Sequence, residues 1–308
     1  MVILNSLTVR PEEDGQTLRQ ILLNSMRLSW TALKSAKWHG RILRNGEPAR
    51  VRDRVRTGDR IEVFFPERQA VYVPRPYALD LKIPWEDEYL MVIRKPAPLA
   101  SQSSANHPAD SLENAVYSYL GCPPGFIYRP VNRLDRGTSG LMVVAKDGHT
   151  QDLLQRQLHS EDFIREYLAW TEGIPSPETG VIDLPIGKEN AASVRRIVRP
   201  DGQPARTRYQ VLQSSERRAL VRLRLETGRT HQIRVHLAAV GCPVCGDFLY
   251  GTELPEEFPG RFALHSAYLR LRHPVTGETL EIRSEEENAF RSMLAGPGEA
   301  PSDPAAAT

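Results

Sequence analysis

The sequence lacks the features that mark secreted and membrane proteins. It contains only three Cys, an odd and sparse set that argues against a disulfide framework and for a reducing compartment. Its apolar runs, such as residues 141–145, are far shorter than the roughly 18 residues that a membrane-spanning helix needs. The opening MVILNSLTVR has no basic segment followed by an apolar one, so we expect no secretory signal. These absences predict a cytoplasmic protein.

The composition is that of a globular protein, and the length suggests two domains. Hydrophobic residues make up 40% and charged residues 25% of the 308 residues, which excludes wholesale disorder. We predict a small domain at 1–65, a linker at 66–84, a larger domain at 85–293 and a disordered tail at 294–308. Four prolines indicate the linker because Pro lacks an N–H donor and has a restricted φ, and a high Ala, Pro and Gly content indicates the tail.

The net charge of +2 conceals a basic segment at the start of the chain. Residues 1–70 contain 13 Lys and Arg against 8 Asp and Glu, so this segment carries +5 and the rest of the chain −3. Phosphate contacts supply most of the sequence-independent affinity of proteins for nucleic acids. The segment therefore indicates a polyanionic partner; a solvated basic surface without a partner is the alternative.

The small domain combines helical and strand-like patterns. Thr17 is a candidate N-cap, because apolar residues recur at helical spacing directly after it. A second helix is predicted at 30–40, and short strands at 41–44 and 60–65. The V-R-x-G-D-x-I arrangement at Val55–Ile61 resembles that of S4-like RNA-binding domains.

The larger domain has more strand-like runs than helical ones, and several strands look connected by hairpins. This pattern predicts an α+β fold with a mixed, largely antiparallel sheet. Strands are predicted at 90–93, 141–146, 164–170, 207–212 and 220–225, and helices at 111–120, 150–159 and 230–240.

Asp135 is the first candidate for a reactive group. It lies between Arg133 and Arg136 in the run RPVNRLDRGTSG, just before a predicted strand. Neighbouring cations favour the ionised carboxylate, which could act as a nucleophile or a base. A salt-bridged Asp in an ordinary turn is the alternative.

Arg229 and Tyr167 are the other candidates. Arg229 is expected at the N-terminus of a helix, where a cation is unfavourable unless an anion is close, so we predict that it pairs with Asp135. Tyr167, in a predicted strand, offers a ring for base stacking and a hydroxyl for proton transfer. An Arg in solvent and a half-buried structural Tyr are the corresponding alternatives.

In this order and spacing, the three stretches resemble the RluA family of pseudouridine synthases. The family's R-L-D-x-x-T-S-G motif stands at Arg133–Gly140, its T-G-R-x-H-Q-I-R-V-H segment at Thr227–His236, and its Tyr-bearing strand at Arg165–Tyr167. Asn132 stands where many members have His. Further matches are Lys95-Pro96, Gly246-Asp247 and Leu264–Ala267.

The resemblance implies a pseudouridine synthase-like fold and the isomerisation of uridine in structured RNA to pseudouridine. The glycosidic bond breaks, the uracil turns and a C–C bond forms. Asp135 is then the catalytic carboxylate, Tyr167 packs on the base and Arg229 holds Asp135. No metal or cofactor is expected. We expect a monomer that acts on 23S ribosomal RNA, with transfer RNA as the other possibility.

The same resemblance directs attention to basic residues in both domains. The expected RNA-contacting residues are Arg133 and Arg136 beside the candidate carboxylate, and Arg41, Arg44, Arg52 and Arg54 in the small domain.

Other functions fit the sequence less well. A glycosidase needs a second carboxylate, and none stands out beside Asp135. A serine hydrolase needs a nucleophile elbow, G-x-S-x-G, which Thr138–Gly140 does not complete. His231 and His236 are five residues apart and do not share a helix face, so a zinc site with the C-x-x-C at 242–245 is disfavoured. A non-catalytic RNA-binding protein that uses the S4-like domain remains as the alternative.

Overall fold

The chain folds into two compact units in the computed structural model. The structure describes residues 2–26, 28, 30–65, 72–158 and 160–293. The first unit comprises residues 1–73, 124–127 and 147–153, and the second comprises residues 74–123, 128–146 and 154–308. The predicted tail at 294–308 and the first part of the predicted linker, 66–71, lie outside the described residues.

The first unit is built around a small antiparallel sheet. Its elements are β1 (Val2–Thr8), α1 (Leu18–Gln20), α2 (Trp30–His39), β2 (Arg41–Arg44), β3 (Glu47–Pro48) and β4 (Arg60–Phe65). In the described residues the strands follow the order β1-β4-β2-β3. The predicted helices and the strands at 41–44 and 60–65 are confirmed. Strand β1 was not predicted, because VILNSLT does not alternate between apolar and polar residues.

Thr17 begins the first helix, as predicted. Its hydroxyl accepts a hydrogen bond from the backbone N–H of Gln20 at 3.4 Å, and the Gln20 side chain accepts one from the N–H of Thr17 at 2.9 Å. The helix continues as a π-helical turn over Ile21–Ser25. Its apolar side chains form one core with those of α2, β2 and β4.

The other elements of the chain are mostly strands, with a few helices between them, as in an α+β fold. They are β5 (Lys82–Glu86), β6 (Leu90–Lys95), α3 (Leu112–Tyr119), β7 (Ser139–Ala145), α4 (Gly148–Gln157), β8 (Ile164–Glu172), β9 (Thr179–Asp183), β10 (Ile186–Lys188), β11 (Arg196–Val198), β12 (Arg206–Ser214), β13 (Arg218–Leu225), α5 (Gln232–Ala239), β14 (Leu264–Arg272), β15 (Thr279–Arg283) and α6 (Glu287–Ser292). The predicted elements are all present, with ends that differ by a few residues.

A mixed sheet dominates the second unit. Over the described residues it has nine strands in the order β5-β6-β7-β14-β8-β13-β12-β9, with β15 also paired to β14. Neighbouring strands run antiparallel, apart from the parallel pair β7 and β14. The prediction of an α+β fold with a mixed, largely antiparallel sheet is therefore confirmed.

The end of the predicted linker belongs to this sheet. β5 begins at Lys82, so residues 82–84 are in a strand and not in an extended connection. Pro84 fits because β5 is an edge strand whose pairing with β6 is irregular between Lys82 and Trp85. Proline content alone did not distinguish an edge strand from a linker.

The junction of β7, β14 and β8 places the candidate site. Gly140 of β7 lies opposite Ser266 of β14 and has a φ of 107°. A Cβ there would lie 2.2 Å from the carbonyl oxygen of Ser266, so only glycine lets the two strands approach. Ser266 also lies opposite Tyr167 of β8. The loop that precedes β7 and the Tyr-bearing strand are thereby carried to the same part of the sheet.

Candidate active site

The loop that carries Asp135 is fixed through its backbone. The N–H of Leu134 donates to the hydroxyl of Ser101 at 3.2 Å, and that hydroxyl donates to the carbonyl of Leu134 at 2.6 Å. The N–H of Leu99 donates to the carbonyl of Arg136 at 2.9 Å. The Asp135 side chain takes no part in these contacts and is 24% exposed. The carboxylate is thus held in place and is accessible to a ligand.

Lys95 also stabilises this loop by hydrogen bonds, a role that the sequence analysis did not predict. Its Nζ donates to the carbonyl oxygens of Leu99 at 2.8 Å, Pro96 at 3.0 Å and Arg136 at 3.4 Å. The residue is fully buried. Burial lowers the pKa of Lys95 to about 7, against the opposing charge of Asp135. The Lys-Pro pair was visible in the sequence, but its contact with the loop was not.

The guanidinium that meets Asp135 belongs to Arg234. Its Nη1 donates to Oδ2 of Asp135 at 3.1 Å, while Nε and Nη2 donate to the two carboxylate oxygens of Asp247 at 2.6 and 2.7 Å. The side chain of Arg234 is 3% exposed and that of Asp247 is completely buried. Burial alone would lower the pKa of Arg234, but Asp247 and Asp135 raise it above its ordinary value. Arg234 is therefore a permanent cation beside the candidate carboxylate.

The predicted pairing of Arg229 with Asp135 is wrong. Nε of Arg229 donates to the carbonyl of Pro204 at 3.0 Å. The reason is where the helix begins: α5 starts at Gln232, after His231 in a left-handed conformation with a φ of 58°. Arg229 thus lies in the preceding loop. The signal that could have identified Arg234 is its place directly after Ile233 on a buried segment, where an Arg requires a carboxylate partner.

Three aromatic rings surround the Arg234 guanidinium. Its Cζ lies 4.2 Å from the ring centroid of Phe262, 4.9 Å from that of Tyr250 and 5.9 Å from that of Phe248. Cations are attracted to aromatic faces at these distances. Together with the two Asp247 contacts, the two nearer rings, Phe262 and Tyr250, leave Arg234 little freedom, so its position relative to Asp135 is set.

The negative charge of Asp135 acts on the hydroxyl of Tyr167. It is 5% exposed. Burial raises the pKa of its hydroxyl; Arg165 opposes this effect and Asp135 adds to it. The hydroxyl therefore keeps its proton at neutral pH. The structure thus brings Tyr167, Asp135 and Arg234 together in the second unit.

The residues beside Asp135 in the sequence differ in exposure. Arg133 and Arg136 are exposed. Asn132 is buried, and its side-chain oxygen accepts a hydrogen bond from the N–H of Val143 at 2.8 Å. Asn132 therefore ties the start of the loop to β7, whereas the two Arg side chains remain accessible to an anionic ligand.

The predicted RNA-contacting residues of the first unit fall into two groups. Arg41 and Arg52 line an open groove of about 520 Å³, together with Lys37 and Arg50. Arg44 and Arg54 instead brace the backbone: Nη1 of Arg44 donates to the carbonyl of Arg54 at 2.7 Å, and Nη1 of Arg54 to that of Gly15 at 2.6 Å. The groove is thus a concave surface lined by basic side chains. Arg44 and Arg54 are not among its lining residues and instead donate hydrogen bonds to backbone carbonyls.

Next to the site, His265 is buried between two hydroxyl groups. Its Nδ1 lies 2.8 Å from Oγ of Ser139 and its Nε2 lies 2.9 Å from Oγ of Ser284. Burial, with Arg261 and Arg94 nearby, lowers the pKa of His265 to about 4 from its ordinary value of 6.5. The imidazole is therefore neutral in the folded protein at neutral pH.

This pKa predicts a loss of stability in mild acid. Between pH 6.5 and 4 the unfolded chain binds a proton at His265 that the folded protein does not, so the free energy of unfolding falls as the pH drops. The expected loss is about 3 kcal/mol at full protonation. Urea unfolding at several pH values will show a steeper decline for the native chain than for His265→Gln. Equal declines would contradict the assignment.

The described residues contain no group of three or more His, Cys, Asp or Glu side chains placed to hold a metal ion. In the same part of the chain, no helix has the length and apolarity required to cross a membrane.

Comparison with known proteins agrees with this geometry. The sequence model of the RNA pseudouridylate synthase family matches residues 89–239. The Bacillus subtilis protein named Uncharacterized RNA pseudouridine synthase YhcT is 36% identical over 277 residues, which cover 89% of this chain and 91% of that protein. The chain belongs to the RNA pseudouridylate synthase family. It is therefore an isomerase that acts on RNA, and the predicted RluA-family resemblance is confirmed.

Other relatives of this pseudouridine synthase support the same conclusion. Ribosomal large subunit pseudouridine synthase D of Haemophilus influenzae is 35% identical over 313 residues, covering 94% of this chain and 93% of that protein. Among solved structures, Human RNA Pseudouridylate Synthase Domain Containing 4 has a TM-score of 0.55 and 26% identity, covering 69% of this chain and 91% of that chain. The synthase fold predicted for the larger domain is thus confirmed, and membership favours an enzyme over a non-catalytic RNA-binding protein.

Proposed function

We propose that this enzyme converts uridines of large-subunit ribosomal RNA to pseudouridine with Asp135 as its catalytic carboxylate. The contact between Asp135 and the buried Arg234 is the observation that carries the proposal. It gives an accessible carboxylate a fixed orientation and a permanent counter-charge. The ribosomal substrate is supported by relatives named ribosomal large subunit pseudouridine synthase D, which match most of the chain.

Asp135 acts on the ribose of an extruded uridine. It either adds covalently to the nucleoside or removes the C2′ proton, and both routes break the glycosidic bond with the carboxylate as the reacting anion. The released uracil turns and its C5 bonds to C1′; this step displaces the carboxylate from the adduct or is accompanied by return of the proton to C2′, and the C5 proton passes to solvent. Arg234 orients the carboxylate. Tyr167 packs on the base and does not remove the C5 proton. Its raised pKa keeps the hydroxyl protonated at neutral pH, and a protonated phenol is a poor proton acceptor.

The basic residues supply contacts with the RNA backbone. We propose that the first unit is an S4-like RNA-binding module and that its groove, lined by Lys37, Arg41, Arg50 and Arg52, binds phosphates. The exposed Arg133 and Arg136 bind the RNA next to the target, where extrusion of a nucleotide leaves unpaired polar groups.

Release of the C5 hydrogen provides a direct test of the substrate. Large-subunit ribosomal RNA and transfer RNA will be transcribed with uridine that is tritiated at C5 and incubated separately with the enzyme. We expect tritium release from the ribosomal transcript and mapped pseudouridines in it. Release from transfer RNA alone would overturn the ribosomal assignment while leaving the isomerase intact.

The groove predicts a change in the salt dependence of RNA binding. The double variant Arg50→Ala/Arg52→Ala should reduce the slope of log affinity against log salt by about 1.5, since each lost phosphate contact removes about 0.7–0.9. The matched control is Arg10→Ala/Arg60→Ala, which removes the same charge from side chains that are ion-paired with Glu12, Glu13 and Glu62. Equal slopes for both double variants would show that the groove is not the docking surface.

The cytoplasmic location and the monomeric state remain predictions. A reducing compartment suits the sparse cysteines, and ribosomal RNA in the cytoplasm is the proposed substrate. Sedimentation of the purified protein with and without RNA measures the oligomeric state.

A further inference from the structure

Phe248 presents an aromatic ring to solvent beside the catalytic centre. Its exposed fraction is 53%, whereas Phe262, whose ring centroid lies 6.3 Å away, is 1% exposed. The ring of Phe248 lies 5.9 Å from Cζ of Arg234, which in turn contacts Asp135. Because one guanidinium makes both contacts, the ring lies at most about 10 Å from the catalytic carboxylate.

The turn that carries Phe248 is held by the catalytic machinery itself. Asp247, the partner of Arg234, accepts hydrogen bonds from the backbone N–H groups of Leu249 at 3.0 Å and Tyr250 at 3.2 Å. The preceding Gly246 has a φ of 76°, and a Cβ there would lie 2.7 Å from the ring of Phe258. The backbone that carries the ring is therefore fixed before any ligand binds, so ordering of the turn costs little when a ligand arrives.

The surroundings suit a polyanion that carries flat bases. The guanidinium of Arg195 lies 5.7 Å from the ring centroid of Tyr250 and is 46% exposed. An exposed Arg136 directly follows Asp135. Aromatic rings next to exposed cations are the usual surface for unstacked nucleotides.

Extrusion of the target uridine creates a need for such a ring. A nucleotide that leaves its stack deprives its neighbours of a stacking partner, which opposes the conformational change. We propose that the ring of Phe248 stacks on the base of a nucleotide that flanks the target uridine and so stabilises the opened RNA. This inference rests on the proposed action of Asp135 on RNA at this site and adds a specificity-determining contact to it.

The role of the ring is tested by three substitutions at one position. Phe248→Ala removes the side chain, Phe248→Leu keeps an apolar side chain without a π-face, and Phe248→Trp keeps the π-face. We expect the Ala and Leu variants to raise KM about 10- to 100-fold with kcat within two-fold of the native value, and the Trp variant to restore KM. Val275→Ala, at an exposed apolar residue in the turn between β14 and β15, is the control and should match the native enzyme.

Three outcomes would overturn the proposal. An unchanged KM in Phe248→Ala would show that the ring makes no contact with the RNA that contributes to binding. A native KM in Phe248→Leu would mean apolar packing and not stacking. A fall in kcat at unchanged KM would place the ring on the reacting uracil or on Arg234. Tritium release is measured separately on the ribosomal and transfer RNA transcripts, and KM is compared on whichever transcript the native enzyme modifies, so the comparison holds if the ribosomal assignment fails.

Discussion

Asp135→Asn will abolish pseudouridine formation while the protein remains folded and binds RNA. The substitution keeps the shape of the side chain and removes the anion that is proposed to react with the ribose. We expect the rate of tritium release to fall at least about 10³-fold, as when a nucleophile is removed from other enzymes. The loop should keep its position, because backbone contacts of Leu134 and Arg136 hold it.

The control for this variant is an exposed carboxylate in the same unit. Asp201 is 70% exposed and is ion-paired with Arg199, so Asp201→Asn removes one negative charge from an exposed surface ion pair. Its activity should equal that of the native enzyme. RNA binding, measured by fluorescence anisotropy, should be preserved in both variants. A substantial rate in Asp135→Asn would exclude the carboxylate from the chemical step.

Arg234→Ala will reduce both stability and activity, whereas Arg229→Ala will change either only slightly. Removal of Arg234 leaves the buried carboxylate of Asp247 without its partner, and breaking a buried ion pair on one side costs about 3–5 kcal/mol. It also removes the cation that orients Asp135. Arg229 donates one hydrogen bond to a backbone carbonyl, so its loss costs about 1 kcal/mol.

Two measurements separate the effects of these Arg substitutions. Urea unfolding gives the stability of each variant, and tritium release at a temperature where both are folded gives the activity. Arg234→Lys is informative because Lys keeps the charge but cannot form the forked contact with Asp247. We expect Arg234→Lys to recover part of the free energy of unfolding that Arg234→Ala loses, but to have low activity. A severe loss of activity in Arg229→Ala, with Arg234→Ala active, would restore the pairing inferred from the sequence.

The local parts of the site were predictable because they depend on short stretches of chain. Asp135 stands in a glycine-containing loop before a strand, and Tyr167 stands in a run rich in aromatic and aliphatic residues that is typical of a strand. Both features can be read from neighbouring residues. The family resemblance then predicted that these residues belong to one active site, and the structure brings them together at the junction of β7, β8 and β14.

The Arg partner could not be predicted in the same way. Asp135 and Arg234 are 99 positions apart in the chain. Which Arg of the TGRTHQIRVH segment reaches the carboxylate depends on where α5 begins, and the left-handed His231 delays that start to Gln232. Arg229 therefore stays in the loop before the helix, whereas Arg234 lies within the helix and is buried.

The amino-acid sequence alone was enough to identify the chemistry, the basic first segment and the α+β class, because motifs, charge and periodicity are properties of the chain itself. It also singled out Asp135 as the candidate carboxylate, a role that stays a prediction. Packing in three dimensions selected Arg234 over Arg229 as the partner of Asp135, joined Lys95 to the loop that carries Asp135 and left Phe248 exposed beside the candidate site. These outcomes depend on contacts between distant segments, and such contacts exist only once the sheet has formed.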